Sequence, residues 1–398
     1  MNKRALQSIG LLLSLIGVLW IMATYAQVRS LPLAVTGRAP MPAATPVLLP
    51  DQTSIARPVQ IVVNESFISP LVEVFGEVTV GKGVFVAGNT IVRADPGAQI
   101  CLGNATNLQD NILFLALLNT PSPRAACGKL SSSTGERVSI AHQAVIKNSK
   151  IGSFTFVGFH ARLENVVLED GAFVLHGATL LNVTIPKDRL VPIGAVITTQ
   201  AEAEALPTKA EAQSEFQQEV LEVNQEFAEG YIELYEEHGI EAVQGISAAP
   251  QTSFNEGISP TIGSNVQVLE FARIIGDVRL GDNSSVGRRT SIRADEGAPI
   301  IIGANAEIED RVTFHALSGT SIVIGDYLDT DDNIVFHGPL EIGDNLFVED
   351  DAIVFRSTIG NNVYIGTGAI VVDVTLRDGV TVPDGAIITT QARADQLE

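Results

Sequence analysis

The stretch VTVGKGVFVAGNTIVRADPGA, Val78–Ala98, decides the fold. Its inward-reading apolar residues stand at Val80, Val86 and Val92, six apart, and Gly81, Gly83, Gly88 and Asn89 mark the turns between them. An amphipathic helix repeats at 3.6 residues and a half-buried strand at two, so neither produces a spacing of six. Six fits the coils of a parallel β-helix, in which each hexad forms one side of a triangular prism. Outward from the stretch the spacing of six reaches back to Val74, restarts at Leu102, Leu108 and Phe114, and resumes at Ile151 and Val157 and on to Pro192. A second run takes in Ile274, Leu280, Val286, Ile292, Ile302, Ile308 and Phe314. It continues through Ile342, Val348, Val354, Ile359 and Ile365 to Gly385.

The two runs are copies. RADPGA at Arg93–Ala98 returns as RADEGAP at Arg293–Pro299, and AVITTQAEAEAL at Ala195–Leu206 returns as AIITTQARADQL at Ala386–Leu397. Between them, residues 201–240 are nearly free of glycine and rich in Ala, Glu and Gln, which predicts helix interrupted early by Pro207. From Lys209 to His238 such a helix is about 45 Å long at ~1.5 Å per residue. Seven β-helix coils stand about 34 Å tall at ~4.8 Å per coil. The helix is long enough to return down the outside of the first prism, which lets both prisms stand side by side in one orientation. The expected division is a first β-helix at 61–200, a long helix at 201–240, and a second, truncated β-helix at 250–398.

Composition sets the outer bounds. The 398 residues are 45% hydrophobic, ample for packed cores, and the formal charge is −21 with a sequence pI near 4.6. That balance argues against nucleic acid and against anionic lipid headgroups as partners. At the N-terminus Lys3 and Arg4 precede an apolar run from Ala5 to Ala26, followed by a Pro-rich linker at 27–60. Residues 1–26 read either as a signal peptide cleaved before Gln27 or as an uncleaved membrane anchor. Both readings place the bulk of the chain outside the cytoplasm, periplasmic or extracellular. The two cysteines, Cys101 and Cys127, can form a disulfide in that setting, or remain as unpaired thiols.

Within this frame RADEGAP, the D-x-x-x-x-H-A-L of Asp310–Leu317, AHQ at Ala141–Gln143, HGP at His337–Pro339 and VNQEFAEGY at Val223–Tyr231 resemble the gamma-class carbonic anhydrases. The resemblance covers both halves and is more specific than the hexad repeat, which acyltransferases share. It implies two left-handed parallel β-helices packed in the manner of that family's trimers, as a homo-oligomer or trimer-like array. It also implies a metal, zinc with iron or cobalt as alternatives, bound by three histidines at a contact between prisms. The activity implied is hydration of CO2 to bicarbonate.

Neither half carries the family's three ligands alone. The first has Leu115, His142 and Lys147 at the three positions, and the second has His315, Asp332 and His337. The resemblance therefore implies one site assembled from His142, His315 and His337, and one degenerate site at Leu115, Lys147 and Asp332. It further marks Gln109 as a group orienting the reactive water, and Glu296, with Asn224, as a route for the released proton. Ser318 stands where a further shuttle carboxylate is expected. Arg93–Asp95 and Arg293–Asp295, kept in both halves, are expected to form structural ion pairs across prism contacts. The competing reading is a non-catalytic β-helix scaffold or assembly subunit.

Overall fold

The computed structural model describes residues 59–118 and 131–398; the expected leader, the linker up to residue 58 and Cys127 lie outside the described residues. Cys101 is disulfide-bonded. The structure is mainly β, and strands pair with the third strand along the chain rather than with the next one. Phe85–Val86 pairs with Asn107–Leu108, which pairs with Ser139–Ile140, then Phe156–Val157 and Phe173–Val174, all in parallel. That pattern wraps the chain around a triangular prism. The first prism has three sheets of eight, six and seven strands. The second has a seven-stranded sheet and a thirteen-stranded one. Two sides merge in the latter because Val335–Ile342 and Ile353–Ile359 each turn a corner without losing their pairing.

The hexad positions become vertical columns. Ile292, Phe314, Phe336, Val354 and Val371 pair rung on rung and are fully buried, with the Phe314 and Phe336 rings stacked at 4.7 Å. Leu108, Ile140 and Val157 form such a column in the first prism. Corners need left-handed backbone, and Asn89, Asn111, Asn283, Asn305 and Asn333 supply it with φ of 58–62°. Gly276 has a second reason to lack a side chain. With φ of 79°, a Cβ there would lie 2.1 Å from the carbonyl oxygen of Ala294 in the next coil.

Helix α1, Gln200–Glu204, closes the first prism, and α2, Glu211–His238, follows it. Along α2, Phe216 lies against Phe156, Phe227 against Phe85 and Tyr231 against Phe67. Helix numbers rise while their partners' numbers fall, so the chain travels back along the first prism. Contacts between prisms instead rise together. Asn89 Nδ2 donates to Arg289 O at 3.0 Å, Gln143 Nε2 to Ile334 O at 3.2 Å, and Ile370 and Ile387 lie over Gly177 and Gly194. The prisms therefore run in the same direction. Helix α3, Gln391–Ala394, stands in the second copy where α1 stands in the first.

Strand pairing in the second prism begins ahead of residue 250, because Ile246–Ser247 pairs in parallel with Ile274–Ile275. No hexad precedes that strand, so the spacing does not reveal it. Among the described residues, no helix is long and apolar enough to cross a membrane.

Gly276→Ala is expected to destabilise the fold by more than ~1 kcal/mol, since the new side chain meets both a left-handed φ and a backbone oxygen. A lowered thermal unfolding midpoint checks this, and an unchanged midpoint would contradict the close-packed corner.

Candidate metal centre

Parallel register places one position of each coil directly above the last, and this builds half of the site. Arg293, His315, His337 and Phe355 occupy equivalent rungs of four successive coils on the face that the second prism turns toward the first. The other half comes from a corner of the first prism, just after Ser139–Ile140, where His142 is fully buried. His142 Nε2 lies 3.3 Å from His315 Nδ1, and one ring nitrogen from each of His142, His315 and His337 fits within a 4.8 Å span.

Each imidazole is held from behind. His142 Nδ1 accepts the Asp110 backbone N–H at 3.2 Å and lies 3.3 Å from the Asp110 carboxylate. His315 Nε2 faces Asp295 Oδ1 at 3.1 Å and Glu296 Oε1 at 3.4 Å. His337 Nδ1 lies 3.3 Å from Gly338 O. For His142 and His315, the nitrogens not engaged in these contacts are the ones turned toward each other. The His142 contact also has a structural lineage. In the second prism, Asp332 Oδ1 accepts the Asp310 N–H at 2.9 Å in the same relation of one coil to the next. At the first prism's corner a ring nitrogen does that work and leaves a second nitrogen free.

One guanidinium connects the whole assembly. Arg293 Nε is 3.0 Å from Asp110 Oδ2 across the prism contact, and its Nη1 is 3.1 Å from Asp295 Oδ2. Ser291 Oγ donates to Asp110 Oδ1 at 2.9 Å, and Tyr231 Oη on α2 donates to Asp295 Oδ2 at 2.7 Å. Burial by itself disfavours both carboxylates. Arg293, helped by the adjacent histidines, overturns that and holds Asp110 and Asp295 below the usual carboxylate range. Burial lowers His142 to about 4, against the pull of Asp110. It also lowers His315, with Arg293 adding to the effect, and takes His337 well below its ordinary value. All three imidazoles are neutral at pH 7, the state that ligates metal.

Beside the histidines lies a cavity of about 240 Å³ lined by Gln109, Asn224, Glu296, Ser318, His337 and the apolar side chains of Phe156, Phe159, Phe216 and Leu317. Among the described residues, Gln109 Oε1 is buried without a hydrogen-bond partner. Burial, then Asp295, raises the Glu296 carboxyl well above its usual pKa. Asn224 is buried and donates to Val220 O at 2.8 Å within α2.

The structure thus brings His142, His315 and His337 together, with Gln109, Glu296 and Asn224 on one adjoining cavity. It does not assemble the degenerate set, since Lys147 pairs with Glu164 at 2.6 Å while Asp332 serves the Asp310 backbone. The two expected ion pairs differ. Arg293 crosses between prisms, but Arg93 reaches only Asp95 of its own strand, at 3.2 Å, with its side chain 48% exposed. Among the described residues, no second prism faces Arg93. Sequence reasoning assigned no role to Asp110, Tyr231 at the site, or Phe159, whose ring stacks on His337 at 4.8 Å. Asp110 had a signal, because the first copy keeps the aspartate of D-x-x-x-x-H-A-L while losing the histidine. Phe159 had none. His176 is buried against Phe159 at 4.3 Å and receives its backbone N–H at 3.1 Å.

Fold and site together define a duplicated hexad-repeat β-helix protein with a three-histidine cluster where its two prisms meet. Among curated proteins, it is 32% identical over 180 residues to the carbonic anhydrase of Methanosarcina thermophila, covering 42% of this chain and 73% of that one. The chain belongs to the gamma-class carbonic anhydrase family. It is also 36% identical over 170 residues to the carboxysome assembly protein CcmM of Nostoc sp., and 33% over 129 residues to the mitochondrial gamma carbonic anhydrase 1 of Arabidopsis thaliana. Those matches take in 42% and 32% of this chain, but only 31% and 45% of the relatives' own lengths. No family model matches the chain. Among solved structures, a hexapeptide transferase family protein from Anaplasma phagocytophilum is 20% identical over 42% of this chain and 90% of that one, with a TM-score of 0.28, too low to carry weight.

The buried histidines set an acid limit on stability. His142 at about 4 and His176 at about 3 both lie below the ordinary 6.5, so the unfolded chain takes up protons first as pH falls. Their contribution is full above pH 6.5 and shrinks as pH drops toward 4. The thermal midpoint of chelator-treated protein should fall across that window, and His176→Asn should make the decline shallower. A midpoint flat from pH 6.5 to 4 would contradict their burial as neutral groups.

Proposed function

We propose that the chain hydrates CO2 to bicarbonate at one zinc site held by His142, His315 and His337. The observation that carries this is the convergence of three buried, neutral imidazoles contributed by both copies, when neither copy has three. The donor set fits the ion. Three nitrogens with an open fourth position is a catalytic zinc arrangement, and two nitrogens on a tetrahedral ion with bonds of ~2.0–2.1 Å lie about 3.3 Å apart. His142 Nε2 and His315 Nδ1 are separated by 3.3 Å. Carboxylates behind His142 and His315 are the partners that orient ligating imidazoles and raise their basicity. When bound, zinc acidifies the water it holds and so supplies the nucleophile at neutral pH, as it does in carbonic anhydrases generally.

The chain's own residues supply position and proton handling. Phe156, Phe159, Phe216 and Leu317 give an apolar wall suited to an uncharged, nonpolar substrate. Gln109 offers a buried amide oxygen with no other partner, which can accept a hydrogen bond from the attacking water and fix its orientation. Glu296, 3.4 Å from His315 and raised in pKa by its burial, can take up a proton and release it into the cavity that Asn224 also lines. Positioning and acid–base transfer are thus divided between the copies, Gln109 and Asn224 from the first and Glu296 from the second.

A second reading is favoured by the likeness to CcmM, named as an assembly protein: the fold serves as a scaffold without turnover. Metal analysis separates the two. The proposal expects one zinc per chain, and His142→Ala should lower it severalfold and abolish CO2 hydration; unchanged metal content would sink a site shared by both copies. Glu296→Gln should lower kcat about 10²-fold or more, with zinc content intact and partial rescue by a small diffusible buffer base. A kcat within twofold of the parent would remove Glu296 from proton transfer.

A further inference from the structure

A second buried arginine, Arg273, has no counter-charge of its own. It stands in the second prism, in the coil before Ser291, and is 3% exposed. Its Nη1 donates to Gly245 O at 2.9 Å and to Ser247 Oγ at 2.8 Å, both neutral acceptors. Its Nη2 is buried and, among the described residues, has no hydrogen-bond partner. Burial lowers the Arg273 pKa to about 10, so the guanidinium stays charged at pH 7.

The carboxylates nearby are committed elsewhere. Asp110 Oδ1 accepts the Ser291 hydroxyl at 2.9 Å, and Oδ2 lies 3.0 Å from Arg293 Nε and 3.3 Å from His142 Nδ1. Asp295 meets Arg293 at 3.1 Å, the Tyr231 hydroxyl at 2.7 Å and His315 at 3.1 Å. Among the described residues neither forms an ion pair with Arg273. A charge left unpaired at that depth destabilises a fold strongly, so the arrangement calls for a counter-ion.

There is room for one. Arg273 lines a cavity of about 20 Å³, the space of a single water-sized sphere. It shares no lining residue with the larger cavity beside the histidines. Phe67 and Phe85 come to its wall from the first prism, Tyr231 from α2 and Ile275 from the second prism. Ser69 lines it as well. Its Oγ accepts the Leu71 N–H at 3.3 Å, and its hydroxyl proton remains to be donated. Asp110 is the carboxylate on this wall, and Arg293, on the same wall, balances it. A water would satisfy Nη2 but leave the charge of Arg273 unmet. A phosphate or a carboxylic acid is too large for the space, and the apolar walls suit an ion that sheds its hydration easily.

We infer that this cavity binds one small monovalent anion, of the chloride and bromide class, held by Arg273 Nη2 and the Ser69 hydroxyl. Bound there, the ion ties the first prism, α2 and the second prism together at the point where Arg293 meets Asp110. Its effect falls on the cohesion of the folded chain and does not depend on the proposed activity.

Two measurements on the full chain test this. First, the thermal midpoint should rise by at least about 2 °C as chloride replaces gluconate from about 1 mM to about 100 mM at constant ionic strength, because an ion that binds only the folded state stabilises it by mass action. Gluconate is too large to enter. Arg273→Gln keeps a side-chain N–H for Gly245 O but removes the charge, so it should melt lower and lose the chloride dependence. Second, crystals of the unaltered protein grown in bromide should show an anomalous peak in the cavity within hydrogen-bond reach of Arg273 Nη2, apart from any ion at the histidines. This second measurement decides the matter even where Arg273→Gln does not fold. A cavity without bromide, or a chloride dependence equal in the parent and Arg273→Gln, would overturn the inference. A peak with no chloride dependence of the parent's midpoint would mark an adventitious ion only and overturn it equally.

Discussion

A buried guanidinium between two buried carboxylates is the constraint on which the centre of the molecule rests. Arg293 is 3% exposed and Asp110 and Asp295 are fully buried, so each charge left unpaired would be costly. The arginine belongs to one prism and Asp110 to the other, which fixes how the copies sit against each other. The same two carboxylates then back His142 and His315. Packing of the copies and orientation of the imidazoles are thus one arrangement, and Tyr231 extends it to α2. Removing a carboxylate would disturb both together.

The fold was plain in the sequence because a hexad period leaves few alternatives. Val80, Val86 and Val92 could not be helix or ordinary strand, and the repeated AVITTQ and AIITTQ segments fixed the duplication. The histidine set was also legible, since register turns a spacing along the chain into a rung. What stayed hidden depended on contacts between the copies. Asp110 looks like any corner aspartate until Arg293 is seen against it. Phe159 gains its place on His337 only when two prisms meet, and no spacing encodes that. Arg93 shows the limit from the other side: identical RAD segments read alike, yet Arg293 is buried against a second prism while Arg93, paired with Asp95 of its own strand, is half-exposed. Sequence identity fixed the local strand, and the neighbour decided its environment.

Asymmetry between the copies follows a physical division of labour. The first copy kept a neutral corner, Gln109, His142 and Phe159, under a long helix that shelters the cavity. At the same positions the second copy carries Glu309, Asp332 and Asp350. These carboxylates are exposed, and Glu309 is nonetheless raised in pKa by partial burial and by the aspartates around it. The face of the second copy, in turn, kept the imidazoles that the first copy's face lost. Each prism has one surface specialised for the shared centre and one freed from that requirement.

The path of α2 has a kinetic meaning. By carrying the chain back along the first prism, it delivers the second prism parallel to the first and already beside it. Three ligands that would otherwise meet only by encounter of separate subunits are held at an effective concentration set by the tether. The centre of this chain therefore does not depend on how dilute the protein is, and its loss on dilution is a hazard that duplication removes.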